Sequence, residues 1–262
     1  MTQGLGRGDA LDDATLCARL ARSTGDILTS IRTAGAPDPL LVDSDGLGKS
    51  GDKVAQAWIA RVLSLHRPDD AILSEEAEDD PSRLDKSRVW VIDPLDGTRE
   101  YASARNDWAV HIALTVDGEV VESAVGMPEM HTVYTAADYR EGRAKADFGE
   151  LNNRLVISQN STPQIAVDVA EDLGMEITRL GSCGAKAMSV VRGDNDAYIH
   201  AGGQYEWDNA APIGVALAAG LHCSRLDGTP ATYNEPDPYL PDLVICRKEI
   251  AEDLLASIQK FL

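Results

Sequence analysis

Trp90-Val91-Ile92-Asp93-Pro94-Leu95-Asp96-Gly97-Thr98 is the stretch on which the reading of this chain turns. An apolar run of strand type delivers Asp93 at its C-terminal end. Pro94 has no N–H to give to a ladder and turns the chain. Asp96 then returns close to Asp93, so two carboxylates can face one point. Gly97 and Thr98 open a helix whose free N–H groups could hold a phosphate oxygen. Hard oxygen donors at this spacing suit Mg²⁺. Without a cation, two adjacent carboxylates repel by about 1–4 kcal/mol at surface-like dielectric. The plainer alternative is a turn in which Asp93 and Asp96 only cap backbone groups.

Two further acidic sites lie outward from this stretch. Ser74-Glu75-Glu76 ends another apolar run, although an acid pair in a first helical turn is ordinary. Glu206-Trp207-Asp208-Asn209-Ala210-Ala211-Pro212 reads as a helix start with Asp208 as N-cap and Trp207 as a core residue. Three carboxylate sites at strand ends or helix starts can converge on one cleft.

The periodicity predicts a helix over 12–31, a long Gly/Ser/Asp-rich loop over 34–53 and a helix over 53–66 capped by Asp52. Strands follow at 71–74, 89–92, 108–116, 120–125 and 132–135, with Asp117-Gly118 as a hairpin turn. The charged segment 139–153 reads as a boundary. Beyond it, strands at 155–158, 177–180, 197–200, 221–225 and 243–246 alternate with helices at 162–173, 185–192, 208–220 and 249–261. The expectation is an α+β part over 1–150 and an α/β part over 151–262, sharing one active-site cleft.

Acidic residues outnumber basic ones by 43 to 24, for a formal charge of −19. Such a field disfavours nucleic acid and anionic membranes as partners. A small anionic substrate stays compatible, because metal ions reverse the sign locally. Cys17, Cys183, Cys223 and Cys246 form no C-x-x-C pair, and reduced thiols in a cytoplasmic protein fit them best. Residues 1–13 carry no apolar stretch, so no signal peptide is expected; the longest apolar run is too short to span a bilayer, and Gly48-Lys49-Ser50 lacks the upstream glycine of a Walker loop. None of the five histidines makes a metal-type pair, so each is read as structural.

The D-P-L-D-G-T and W-D-x-A motifs, with the acid pair before them and Leu226-Asp-Gly-Thr-Pro and Tyr233-Asn234 after, resemble the inositol monophosphatase superfamily of lithium-sensitive, Mg²⁺-dependent phosphatases. The resemblance covers nearly the whole chain. It implies a layered αβαβα sandwich. It also implies that Glu75, Asp93 and the Leu95 carbonyl bind one Mg²⁺, and that Asp93, Asp96 and Asp208 bind a second. Glu75 would hold a weaker third ion through water. Thr98, with Glu75 or Asp52, would orient and deprotonate the attacking water. Many relatives carry Thr three residues before the residue aligned with Asp52; this chain has Lys49. Members are often homodimers, which extends to this chain as an expectation.

Arg99-Glu100-Tyr101 and Gly181-Ser182 with Lys186 are similar to the CysQ branch of 3'-phosphoadenosine 5'-phosphate phosphatases, whose role is in sulfate assimilation. Arg99 and Lys186 would bind the second phosphate, as a fork and as a point charge. Leu95, Asp96, Gly97, Thr98 and Asp208 would complete the substrate contacts. The competing readings are an inositol-1-phosphate phosphatase or fructose-1,6-bisphosphatase on the same scaffold. From another class, the rival is a non-catalytic metal- and nucleotide-binding sensor.

Overall fold

The strand-forming runs pair into two five-stranded sheets in a computed structural model of the chain, which describes residues 11–34 and 44–262. The first sheet is ordered β1 (Ala71–Ser74), β2 (Arg88–Asp96), β3 (Ala109–Val116), β4 (Glu119–Met127) and β5 (Thr132–Thr135). β1 runs parallel to β2, and the other neighbours are antiparallel. The second sheet takes its strands in the order β7 (Glu176–Leu180), β6 (Arg154–Ser158), β8 (Ala197–Ala201), β10 (Asp242–Cys246) and β9 (His222–Ser224).

The alternation of side chains along each strand assigns the layers. Trp90 and Ile92 of β2, with Val110, Ile112 and Leu114 of β3, face α1 (Asp13–Ala34) and α2 (Ser44–His66). Leu16, Leu20, Leu28, Ile59 and Leu63 fill that layer from the helices. Val89, Val91, Ala109 and Ala113 point the other way, onto α6 (Cys183–Val191) and α7 (Glu206–Ala218). Those two helices also pack on Val156, Tyr198, Leu243 and Ile245 of the second sheet. Its far face buries Leu155, Ile157, Ile199 and Val244 under α5 (Gln164–Leu173) and α8 (Ala251–Gln259). The result is the αβαβα stack. Truncating a fully buried core residue such as Leu20 to Ala would cost about 2–5 kcal/mol.

Three local expectations need correction. α2 begins at Ser44, so most of the expected 34–53 loop is helix, its remainder at 35–43 lying outside the described residues. Asp52 therefore sits inside a helix and is not its cap. Gly46, Gly48 and Gly51 had the composition of a loop, but Gly48 serves a contact: a Cβ there would lie 2.7 Å from Thr98 Cγ2. The helical glycine costs about 1 kcal/mol of propensity and brings α2 against Thr98. Asp208 is the third residue of α7, and Tyr205 precedes the helix as its N-cap residue. The sequence reading also missed α4 (Ala136–Arg140) and a 3-10 turn at Pro81–Asp85, capped by the Asp80 side chain on Ser82 N–H.

Candidate active site

The D-P-L-D stretch works through strand phase. Residues three apart on a regular strand point to opposite faces. Asp93 pairs with His111 and Asp96 with Ala109, so β2 uses three steps where β3 uses two. This one-residue bulge at Pro94-Leu95 puts Asp93 and Asp96 on the same face, towards α6 and α7. Proline is tolerated there because a bulge needs no ladder donor. The Leu95 N–H donates to Asp93 Oδ1 (3.0 Å) and fixes the turn. Gly97 follows with φ of +86°, a left-handed conformation suited to glycine, and leads into the five-residue α3 (Thr98–Ala102).

α7 brings the third carboxylate. One ligand oxygen each from Asp93, Asp96 and Asp208 lies within 4.8 Å of the others. Asp208 Oδ2 accepts from the Tyr205 N–H (2.7 Å), which ties it to the first turn of α7. Tyr205 stacks on Trp207 (4.9 Å, 9°), and Trp207 packs on the core beneath. Glu75, just beyond β1, hydrogen-bonds Asp93. Two carboxyl groups can share such a bond only if one holds a proton.

Asp96 is held differently from its neighbours. The Cys183 and Gly184 N–H groups at the start of α6 donate to its two oxygens at 3.1 and 2.6 Å. His111 Nε2 lies 3.1 Å from Oδ2, and His111 Nδ1 donates to the Trp207 carbonyl (3.2 Å). Burial works to raise the Asp96 pKa. It is outweighed by His111, by the charge of Lys186 and by the Gly184 N–H, leaving Asp96 at about 2. Gly184 is required by this approach: a Cβ would overlap the His111 ring and lie 2.7 Å from Ala109 Cβ. His111 and Gly184 were not singled out from sequence. The available signal was a histidine at an inward-facing position of a strand beside two aspartates.

On the α2 side, Asp52 is 4% exposed. Thr98 Oγ1 is 3.3 Å from Asp52 Oδ2 and 3.2 Å from the Leu95 carbonyl oxygen, so its single proton serves one of them at a time. Asp52 Oδ1 is buried without a partner among the described residues. Burial, then Glu76 and Glu75, push Asp52 up to about 7. Burial, then Asp96 and Glu75, push Asp208 up to about 7. Burial and the surrounding carboxylates drive Asp93 well above the carboxylate range. Glu75 is exposed, and desolvation on its side facing the cluster, with Asp96 and Glu76, raises it. Raised values at Asp52, Glu75, Asp93 and Asp208, with Asp96 lowered by its own cationic partners, mark oxygen donors short of positive charge. The donor set therefore fits a divalent cation of the Mg²⁺ type.

The substrate-side expectations divide. Arg99 is exposed and lines a cleft of about 440 Å³ with Thr98, Gln159 and Asn160. Lys186 does not stand in that cleft. It is 3% exposed, and its Nζ donates to the Gly181 and Ser182 carbonyls at 2.6 and 2.7 Å. Burial pushes its pKa down. Its place is under the start of α6, where its charge reaches Asp96 from within. Glu100 and Tyr101 are also internal: Glu100 accepts from Asn160 Nδ2, and the Tyr101 hydroxyl donates to the Leu28 carbonyl.

Comparison with known proteins agrees with this geometry. The model of the inositol monophosphatase family matches residues 18–261. The chain belongs to the inositol monophosphatase family. A family relative from Mycobacterium leprae, named 3'-phosphoadenosine 5'-phosphate phosphatase, is 47% identical over 95% of this chain and 94% of its own. A protein of the same name from Mycobacterium bovis is 50% identical over 81% of this chain and 82% of its own. Among solved structures, CysQ from Bacteroides thetaiotaomicron, a bacterial member of the family, superposes with a TM-score of 0.74 at 22% identity, covering 90% of this chain and 97% of that one. This member of the family is accordingly a phosphatase. Among the described residues, no helix is long and apolar enough to cross a membrane. The four cysteines are free thiols.

Proposed function

We propose that the chain is a Mg²⁺-dependent phosphomonoesterase that hydrolyses 3'-phosphoadenosine 5'-phosphate to AMP and phosphate, the by-product clearance needed in sulfate assimilation. The observation that carries the reading is the meeting of Asp93, Asp96 and Asp208 oxygens within 4.8 Å, beside the Thr98–Asp52 pair. The names of the Mycobacterium relatives support the nucleotide substrate.

In this reading Glu75, Asp93, Asp96, Asp208 and the Leu95 carbonyl hold two Mg²⁺ ions. Bound there, the ions would acidify water and neutralise charge on the transferring phosphoryl group. Asp52 accepts a proton through Thr98, whose hydroxyl is within reach of it. The Gly97 and Thr98 N–H groups, at the start of α3, orient the phosphate. Arg99, at the open edge of the cleft, pairs with the phosphate that the acidic cluster does not hold. Lys186 is left out of the substrate contacts because its ammonium is committed to two carbonyls.

The test is phosphate release from 3'-phosphoadenosine 5'-phosphate, inositol 1-phosphate and fructose 1,6-bisphosphate, each with Mg²⁺ and with EDTA. The reading requires EDTA-sensitive turnover with a clear preference for the nucleotide. Equal rates on all three would remove the nucleotide assignment. Binding without turnover would favour a sensor.

A further inference from the structure

Arg83 is a buried cation that no step above uses. It is 1% exposed, on the 3-10 turn that follows the Glu75-Glu76 segment. Its Nε and Nη2 donate to the Asp79 carboxylate at 2.7 and 3.0 Å. Nη1 donates to Asn234 Oδ1 (2.8 Å) and Nη2 to the Glu235 carbonyl (2.9 Å). Asn234 returns a bond from Nδ2 to the Arg83 carbonyl (3.1 Å). The same two residues of the far loop are gripped from the other side. Glu206, also 1% exposed, accepts the N–H groups of Asn234 and Glu235 at 2.7 and 2.8 Å.

Glu206 is the first residue of α7, two before Asp208. Arg83 lies eight residues beyond Glu75 on an unbroken path through Asp79. The chain Asp79–Arg83–Asn234/Glu235–Glu206 thus bolts the segment carrying one acidic group to the helix turn carrying another. These segments are more than 120 residues apart in sequence. Each bond is charge-assisted or buried, and the guanidinium fork is filled on three sides, a geometry that an ammonium cannot reproduce. Hydrogen-bond partners behind metal ligands set ligand spacing, and their loss typically weakens metal binding.

We infer that Arg83 is a positioning residue for the divalent-metal site, fixing the separation of Glu75 and Asp208 through Asn234 and Glu206. The inference rests on the metal site proposed above. Mn²⁺ serves as the probe, its binding to the whole protein counted by the paramagnetic resonance of the free ion, in the absence of substrate. Asn234→Gly removes the side-chain link to Arg83 and keeps the left-handed backbone of Asn234 (φ 60°) and the N–H groups that Glu206 holds. Arg83→Met removes the guanidinium, and Arg83→Lys keeps the charge without the fork.

Asn234→Gly and Arg83→Met are expected to weaken Mn²⁺ binding by about tenfold or more. Arg83→Lys should fail to restore it. Unchanged Mn²⁺ affinity in a folded Asn234→Gly protein overturns the inference, and this variant decides the matter if Arg83→Met does not fold. Asp93→Asn is the control. If the unsubstituted protein and Asp93→Asn bind Mn²⁺ alike, the metal site itself is misplaced and the positioning role falls with it. Loss in Asp93→Asn alone leaves the site standing and refutes only the role of Arg83.

Discussion

Thr98 Oγ1 lies 3.3 Å from Asp52 Oδ2, although the two residues are 46 positions apart and come from different helices. The contact exists because Gly48, one helical turn before Asp52, lets α2 settle against Thr98. If Thr98 and Asp52 move the proton, Asp52→Asn and Thr98→Val should each lower kcat by about 100-fold or more. Combining them should add little, since both disable one relay. Steady-state kinetics at saturating Mg²⁺ decides this, and multiplicative losses would show two separate roles.

Gly48→Ala separates packing from helix propensity. Alanine favours a helix by about 1 kcal/mol over glycine. Here its Cβ would press on Thr98 Cγ2 at 2.7 Å. The expected outcome is lower kcat with little loss of thermal stability. Comparing kcat with the melting temperature checks it, and unchanged kcat would show that Thr98 shifts without consequence.

Gly184→Ala strikes the other wall of the site. The new methyl would overlap His111 and crowd Ala109, and the buried setting leaves little room to yield. Overpacking of this kind costs about 1–3 kcal/mol. It would also push α6 away from Asp96 and loosen the two N–H bonds that hold it. Both a lower melting temperature and a higher Mg²⁺ requirement are expected. Calorimetry with and without Mg²⁺ measures them.

How far the sequence carried the reading depends on the kind of information each residue holds. Strand positions were legible as short apolar runs between turn signals, whereas the sandwich layers followed from the family resemblance. The acidic residues were legible as types at strand ends. Asp52 was misplaced because three glycines and a serine imitate a loop locally, while Gly48 serves a contact with the distant Thr98. Lys186 was assigned to a phosphate from its charge and from the resemblance of its surroundings to the CysQ branch. Its burial under α6 depends on tertiary packing, which charge does not encode. The local pairing of Arg83 with Asp79 did not single it out, since its partners at 234–235 are about 150 residues away.

The pH dependence of stability follows from the shifted carboxyl groups. Asp52 and Asp208 titrate near 7 when folded and at about 4 when unfolded. Between those values the folded chain holds protons that the unfolded chain has released. Stability from these groups is therefore lost as pH rises through that window. Glu75 and Asp93 are raised and act in the same direction. His200, lowered to about 4 by burial, acts oppositely: its contribution is lost as pH falls below about 6.5. Glu206 is raised as well and His222 lowered, so five carboxyls stand against two histidines, and metal-free protein should melt at a lower temperature at pH 8 than at pH 5. Mg²⁺ should raise the melting temperature more at pH 8. A scanning-fluorimetry series with EDTA or Mg²⁺ tests both halves, and a metal-free curve that climbs with pH would contradict them.

The extra residue in β2 has a consequence for how this protein could lose its activity. Were Pro94 replaced by a strand-forming residue and the bulge ironed out, so that β2 and β3 paired one to one, Glu75, Asp93, Asp96 and Asp208 would all still be encoded, in unchanged order. The side chains beyond the lost bulge would nonetheless be turned half a revolution about the strand axis, and the second aspartate would face the wrong layer. A census of acidic residues would find nothing missing from such a chain. What had been lost would be the parity of a count.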